Sequence, residues 1–195
     1  MIKKDHKALS RYFMEHMNYP VEYKLKKAVV LGSIEPDYNP VTYLRGSIKK
    51  QRFRGHNYEN TRECITKLVR KIQYKNMSER KKCYLLGKLL HYIADAFTFP
   101  HNSGFSGSLL DHCAYEKKLH EYMKTIINQN SFEWNQSGLE ENMLKQLDDL
   151  HLEYRNESYG FITDCRYIFS AVAMAFGYLT EMKNQNIVFE EEIVF

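Results

Sequence analysis

An all-α fold, a bundle of helices in one domain spanning 1–195, is what this sequence predicts. Apolar residues recur with helical periodicity along most of the chain, and alternating strand-like runs are few. Only 9 glycines and 4 prolines punctuate the 195 residues. That length suffices for one domain, which can bury roughly 70% of its unfolded surface without disulfides.

The periodicity predicts helices near 5–17, 21–32, 60–74, 79–98, 109–128, 138–152 and 159–182. Pro20 suits the first turn of the second, where its missing N–H costs nothing. Between the second and third, Ser33 to Tyr58 carries Pro36, Pro40, Gly46 and Gly55 and reads as a long ordered loop. Ser78 can cap the fourth. That helix is apolar around His91, with Tyr84, Leu85, Leu86, Leu89, Leu90, Ile93, Ala94 and Phe97 as neighbours. The fifth carries His112, Glu116 and His120 on one face. Beyond the seventh, Asn184 to Phe195 mixes Ile, Val and Phe with three glutamates and reads as a short strand or extended arm.

Composition excludes several classes. A net charge of +4 with both signs interspersed favours neither a nucleic-acid scaffold nor an acidic-substrate sink, and no basic block stands out. The start, MIKKDHKALSRYF, is charged before any apolar run of signal-peptide length, and no stretch approaches a membrane span. Cys64, Cys83, Cys113 and Cys165 form no C-x-x-C pair and read as reduced packing residues. The expectation is a soluble cytoplasmic protein.

The chemistry concentrates between His91 and Glu116, in the pattern H-x3-D-x5-H-x10-H-x3-E. Residues four apart on a helix stand one turn above each other, so His91 with Asp95, and His112 with Glu116, each form a two-pronged claw. His101 lies between them, just past Pro100. Nitrogen and carboxylate donors without cysteine suit zinc, with iron or manganese as competitors. Five such donors exceed what one tetrahedral ion needs. With 8 histidines and 24 carboxylates, about one such pair arises by chance, so context must weigh in. Buried histidine and aspartate need partners, which are either metals or a hydrogen-bonded core cluster. His120, two turns from His112, is about 12 Å away and reads as a supporting or surface group. His16 and His151 have no partner at ligand spacing.

Two segments carry a family resemblance. "LGSIEPDYNP" is similar to the Leu-Gly-x-x-x-Pro-Asp turn, and "HYIADAFTFPHNSG…DHCAYEKKLHEY" to the histidine and aspartate core, of the zinc-dependent phospholipase C family, whose fold is shared with P1-type nucleases. The resemblance implies that Asp37, His56, His91 and Asp95 hold one zinc and that His101, His112 and Glu116 hold a second. It further implies that Asp95 bridges to a third ion completed by His6 and a terminal amine. The family supplies that amine from an N-terminal tryptophan, whereas the only tryptophan here is Trp134. Met1, a water or another side chain would then complete the shell.

The resemblance implies a metal-dependent phosphodiester hydrolase with two or three zinc ions. In it, Asp37 both ligates and orients or deprotonates the attacking water. The expected substrate is a phospholipid headgroup or a smaller phosphodiester, with no stable nucleic-acid complex. Two alternatives stand beside it. One is a P1-type nuclease or nucleotidase, with Tyr38, Tyr43, Phe97, Phe99 or Phe105 stacking on a base. The other is a metal-stabilised binding module without turnover.

Overall fold

The computed structural model describes residues 1–16, 22–39, 58–132 and 142–191. Among them are seven α-helices and no strand: α1 (Lys3–His16), α2 (Tyr23–Tyr38), α3 (Tyr58–Tyr74), α4 (Glu79–Ala96), α5 (Leu109–Gln129), α6 (Met143–Asn156) and α7 (Phe161–Glu191). A 3-10 turn, Phe99–His101, links α4 to the segment before α5. The all-α expectation holds.

The centre of the bundle is α4, which packs against α1, α2, α3 and α7. Its buried face includes Leu86, Leu89, Leu90, Ile93, Ala94 and Ala96. A helix apolar around most of its circumference must be enclosed by others. That enclosure puts His91 and Asp95, both buried, in the interior rather than at the surface.

Three expectations are corrected. The chain does not leave helix at Ser33: α2 continues through Pro36 and Asp37 to Tyr38. A proline in the final turn forfeits only one bond, that to the Gly32 carbonyl, and its fixed φ is compatible with helix. The turn is also pinned by Lys88 Nζ on Glu35 Oε2 at 2.6 Å and by Asn39 Nδ2 donating to Glu35 Oε1 at 2.8 Å. The last helix runs on to Glu191, past the start of the expected arm. Finally, Cys83 and Cys165 are buried packing residues as read, whereas Cys113 is exposed. No helix among the described residues is long and apolar enough to cross a membrane.

Candidate metal centre

Two glycines set how closely α2 and α4 approach. A Cβ on Gly32 would lie 2.0 Å from the Tyr84 carbonyl oxygen, and one on Gly87 would lie 1.9 Å from that of Val29. Only glycine permits this contact. It draws the C-terminal end of α2 over the middle of α4, where His91 Nδ1 meets the Ser33 carbonyl at 2.9 Å. A carbonyl can only accept, so Nδ1 carries a proton and Nε2 turns inward. That nitrogen lies 3.3 Å from Asp95 Oδ2 and 3.9 Å from Asp37 Oδ1.

His6, from α1, completes an inner cluster. His6, His91 and Asp95 are all buried, and each offers a donor atom within 4.8 Å of the others. The His6 and His91 rings stack at 3.8 Å. His6 Nε2 lies 3.2 Å from Asp95 Oδ1, yet neither ring nitrogen of His6 makes an aligned hydrogen bond, and Asp37 Oδ2 makes none either. Burial, reinforced by the neighbouring His91, pushes the His6 imidazole down to about 3. The ring is therefore neutral with a free lone pair. Burial also pushes the Asp37 carboxyl up to about 6.

An outer cluster forms from His101, His112 and Glu116. Register on α5 is set by a reciprocal cap: Ser108 Oγ accepts from the Asp111 amide at 3.2 Å, and the Asp111 carboxylate accepts from the Ser108 amide at 2.8 Å. With the helix start fixed there, His112 and Glu116 face the bundle. Glu116 Oε1 lies 3.0 Å from His112 Nε2 and 3.3 Å from His101 Nε2.

The Met1 nitrogen joins the clusters. It lies 2.7 Å from Glu116 Oε1, 2.9 Å from Asp95 Oδ1 and 3.3 Å from His101 Nε2. Burial works to lower the pKa of this amine, but Asp95 and Glu116 outweigh it and raise it to about 11. In return, although burial opposes it, the amine and the histidines hold both carboxyls well below the usual range.

Three supports surround the clusters, and of these the sequence points only to His120. Asp164 of α7, buried, accepts from the Phe99 amide at 2.9 Å, Tyr115 Oη at 2.9 Å and Tyr154 Oη at 2.8 Å. It thereby ties the turn carrying His101 to three helices. Asn102 donates to the Ala96 and Thr98 carbonyls at 3.0 Å each and accepts from His151 Nε2 at 2.9 Å. His120 Nδ1 bonds to the buried Asp5 Oδ1, next to His6, so it clamps α1 onto α5 rather than standing idle at the surface. The one signal for Asp164 was a carboxylate inside the apolar run FITDCRYIF.

Of the residues expected at the site, His6, Asp37, His91, Asp95, His101, His112 and Glu116 come together, while His56 lies outside the described residues, as do Tyr43 and Trp134. The donor set is imidazole and carboxylate, and His6 and Asp37 offer buried atoms with no hydrogen bond. These donors fit a borderline divalent cation such as zinc better than a self-satisfied polar core.

The family described as zinc dependent phospholipase C matches residues 5–161, most of the chain. The chain belongs to the zinc-dependent phospholipase C family. No curated protein and no solved structure matches it. Family membership, the all-helical bundle and the paired clusters are together those of a metal-dependent phosphodiester hydrolase.

Proposed function

We infer that the chain cleaves a phosphodiester at two linked zinc sites, with His6, Asp37, His56, His91 and Asp95 serving the inner region and His101, His112 and Glu116 the outer. A third ion falls to His6 and Asp95, with the Met1 nitrogen once it gives up its proton, a water or another side chain completing the shell. Iron and manganese are the competing metals. The observation that carries this reading is the convergence of imidazoles and carboxylates from α1, α2, α4, the 3-10 turn and α5 into two adjoining clusters, one buried and one partly exposed. Divalent ions bound there would neutralise charge on a phosphoryl group and make water more acidic.

The chain's own residues supply the rest. Asp37 stands at the edge of the inner cluster, 13% exposed, with Oδ2 free of hydrogen bonds. It can orient a water and take its proton. Lys3 Nζ lies 3.5 Å over the ring of Tyr38, the residue after Asp37, so a cation stands at the rim where an anionic diester approaches. His112, 27% exposed, leaves the outer cluster open to a phosphate oxygen from solvent.

The substrate is a phospholipid headgroup or a smaller phosphodiester. The nuclease alternative has less support, because described aromatics it would use are engaged. Phe97 is fully buried, Phe99 stacks on Tyr159 at 4.1 Å, and the exposed Tyr38 ring is covered by Lys3. Free thiols at Cys64, Cys83, Cys113 and Cys165 support a cytoplasmic location.

The test is a panel of chromogenic phosphorylcholine esters, bis-aryl phosphates and single-stranded nucleic acid, with zinc and with chelator. Zinc-dependent cleavage of a diester is expected. Turnover of nucleic acid alone would favour the nuclease, and metal-loaded protein inert on every substrate would leave a binding module.

A further inference from the structure

Away from the metal centre, the N-terminal halves of α2 and α4 border a groove of ≈ 540 Å³. The two helices run side by side in the same direction, since Gly32 meets Tyr84 and Lys88 while Ser33 meets His91. Their first turns therefore lie together at the end remote from Asp37 and Asp95. Ten residues separate Lys81 from His91, roughly 15 Å along the helix.

Four cations surround the groove: Lys24 and Lys27 from α2, Arg80 and Lys81 from α4. All four are exposed, and none is ion-paired with a described residue. The acidic groups nearby are Glu22 and Glu79, and Glu79 already faces Lys82 at 3.8 Å. Neither helix start has a side-chain cap: Ser78 holds the N-cap position of α4, but against expectation its hydroxyl makes no capping hydrogen bond, so the positive ends of two helices add to the field. These cations are distant in sequence, and only the pairing of α2 with α4 gathers them.

The floor is apolar, formed by Ala28, Tyr84 and Leu31, the last 54% exposed. Tyr23, 72% exposed, lies one helical turn before Lys27 on the same stripe, and Lys27 Nζ sits 4.5 Å over its ring. Lysines and an arginine that no described carboxylate pairs, around the exposed Leu31 and Tyr23, match an interface that is anionic outside and hydrocarbon beneath. A nucleic acid would use the charges and leave Leu31 unexplained.

We propose that this groove docks the protein on a bilayer containing anionic phospholipid, with the four cations on headgroup phosphates and Leu31 against the acyl boundary. Binding stands on the groove alone. Its bearing on turnover, holding the enzyme where diester substrate is displayed, rests on the hydrolase reading above.

The test is co-sedimentation with vesicles of phosphatidylcholine containing 30% phosphatidylglycerol, against vesicles of phosphatidylcholine alone. The full chain should bind the first and not the second. Replacing all four cations with glutamine should weaken binding at least a hundredfold, at about fivefold per charge. Leu31→Gln, which keeps every charge, should weaken it severalfold. Should the fourfold variant fold poorly, the pairs K24Q/K27Q and R80Q/K81Q, each losing about 25-fold, carry the same test. Cleavage of a soluble bis-aryl phosphate should be unchanged in all of them. Wild-type vesicle binding by the charge variants, insensitivity to Leu31→Gln, or tighter binding to a single-stranded oligonucleotide would overturn the proposal. Vesicle binding without diester cleavage would overturn the hydrolase reading instead.

Discussion

The inner and outer clusters use the same chemistry in opposite settings. His6, His91 and Asp95 are sealed in the bundle, with side chains no more than 2% exposed, whereas His101, His112 and Glu116 are 10%, 27% and 13% exposed. Inside, both ring nitrogens of His6 are left without an aligned hydrogen bond. Outside, Glu116 Oε1 is shared by two histidines with water within reach. A buried imidazole left without an aligned hydrogen bond is costly unless a cation offsets it, so the inner cluster should couple metal to folding. The outer one can exchange its ion and meet substrate.

Asp95 should produce the largest effect, because its two oxygens touch His6, His91 and the Met1 nitrogen. Asp95→Ala strips the amine and the inner metal of their shared carboxylate. A loss of about 3–5 kcal/mol is expected by chemical denaturation, together with inner-site metal. A variant as stable as wild type would make the inner cluster ornamental.

Asp37→Asn addresses rate rather than stability. It keeps one coordinating oxygen and the side-chain volume but removes basicity, so diester cleavage should fall by ~10²-fold or more while most metal stays. Unchanged turnover would remove Asp37 from the chemistry, and total loss of metal would make its role structural.

A third experiment sets the clusters directly against each other. His6→Ala should lower Tm more in zinc-loaded protein than in chelated protein, where only its packing is lost because its nitrogens make no aligned hydrogen bond. His112→Ala, nearer solvent, should lower Tm less while still cutting activity. Equal Tm losses in the loaded protein would erase the distinction between inner and outer sites.

Smaller effects are expected around the clusters. His120→Ala leaves the buried Asp5 without its partner and should cost about 1–3 kcal/mol, which adding Asp5→Asn should partly restore. His151, stacked on Tyr58 and held down to about 4 by burial and by Arg155, folds in its neutral form. Its folded pKa lies below the unfolded value of 6.5, so its contribution is full above 6.5 and is lost as pH falls through about 4. His151→Gln in metal-free protein should flatten the stability profile across that window.

The sequence made the helices and the claws legible because both depend on local spacing: i to i+4 fixes a shared face whatever surrounds it. His91 with Asp95 and His112 with Glu116 were readable on that basis, and His6 and Asp37 through the family motif. The α2 terminus was misread because a proline counts as a breaker by its residue type, whereas its tolerance in a last turn depends on Lys88 and Asn39 reaching Glu35. Asp5 with His120 and the Asp164 hub join residues 115 and up to 65 positions apart. No local pattern encodes such pairs. The basic groove was hidden in the same way, since half of its charge lies on each of two helices.

The most direct test of the paired clusters is metal content. After zinc reconstitution, removal of loose ion and elemental analysis, the chain should retain at least two equivalents, and chelation should lower its Tm, since metal bound only by the folded state stabilises it. One equivalent or less, with a Tm indifferent to chelator, would contradict the account of two linked sites.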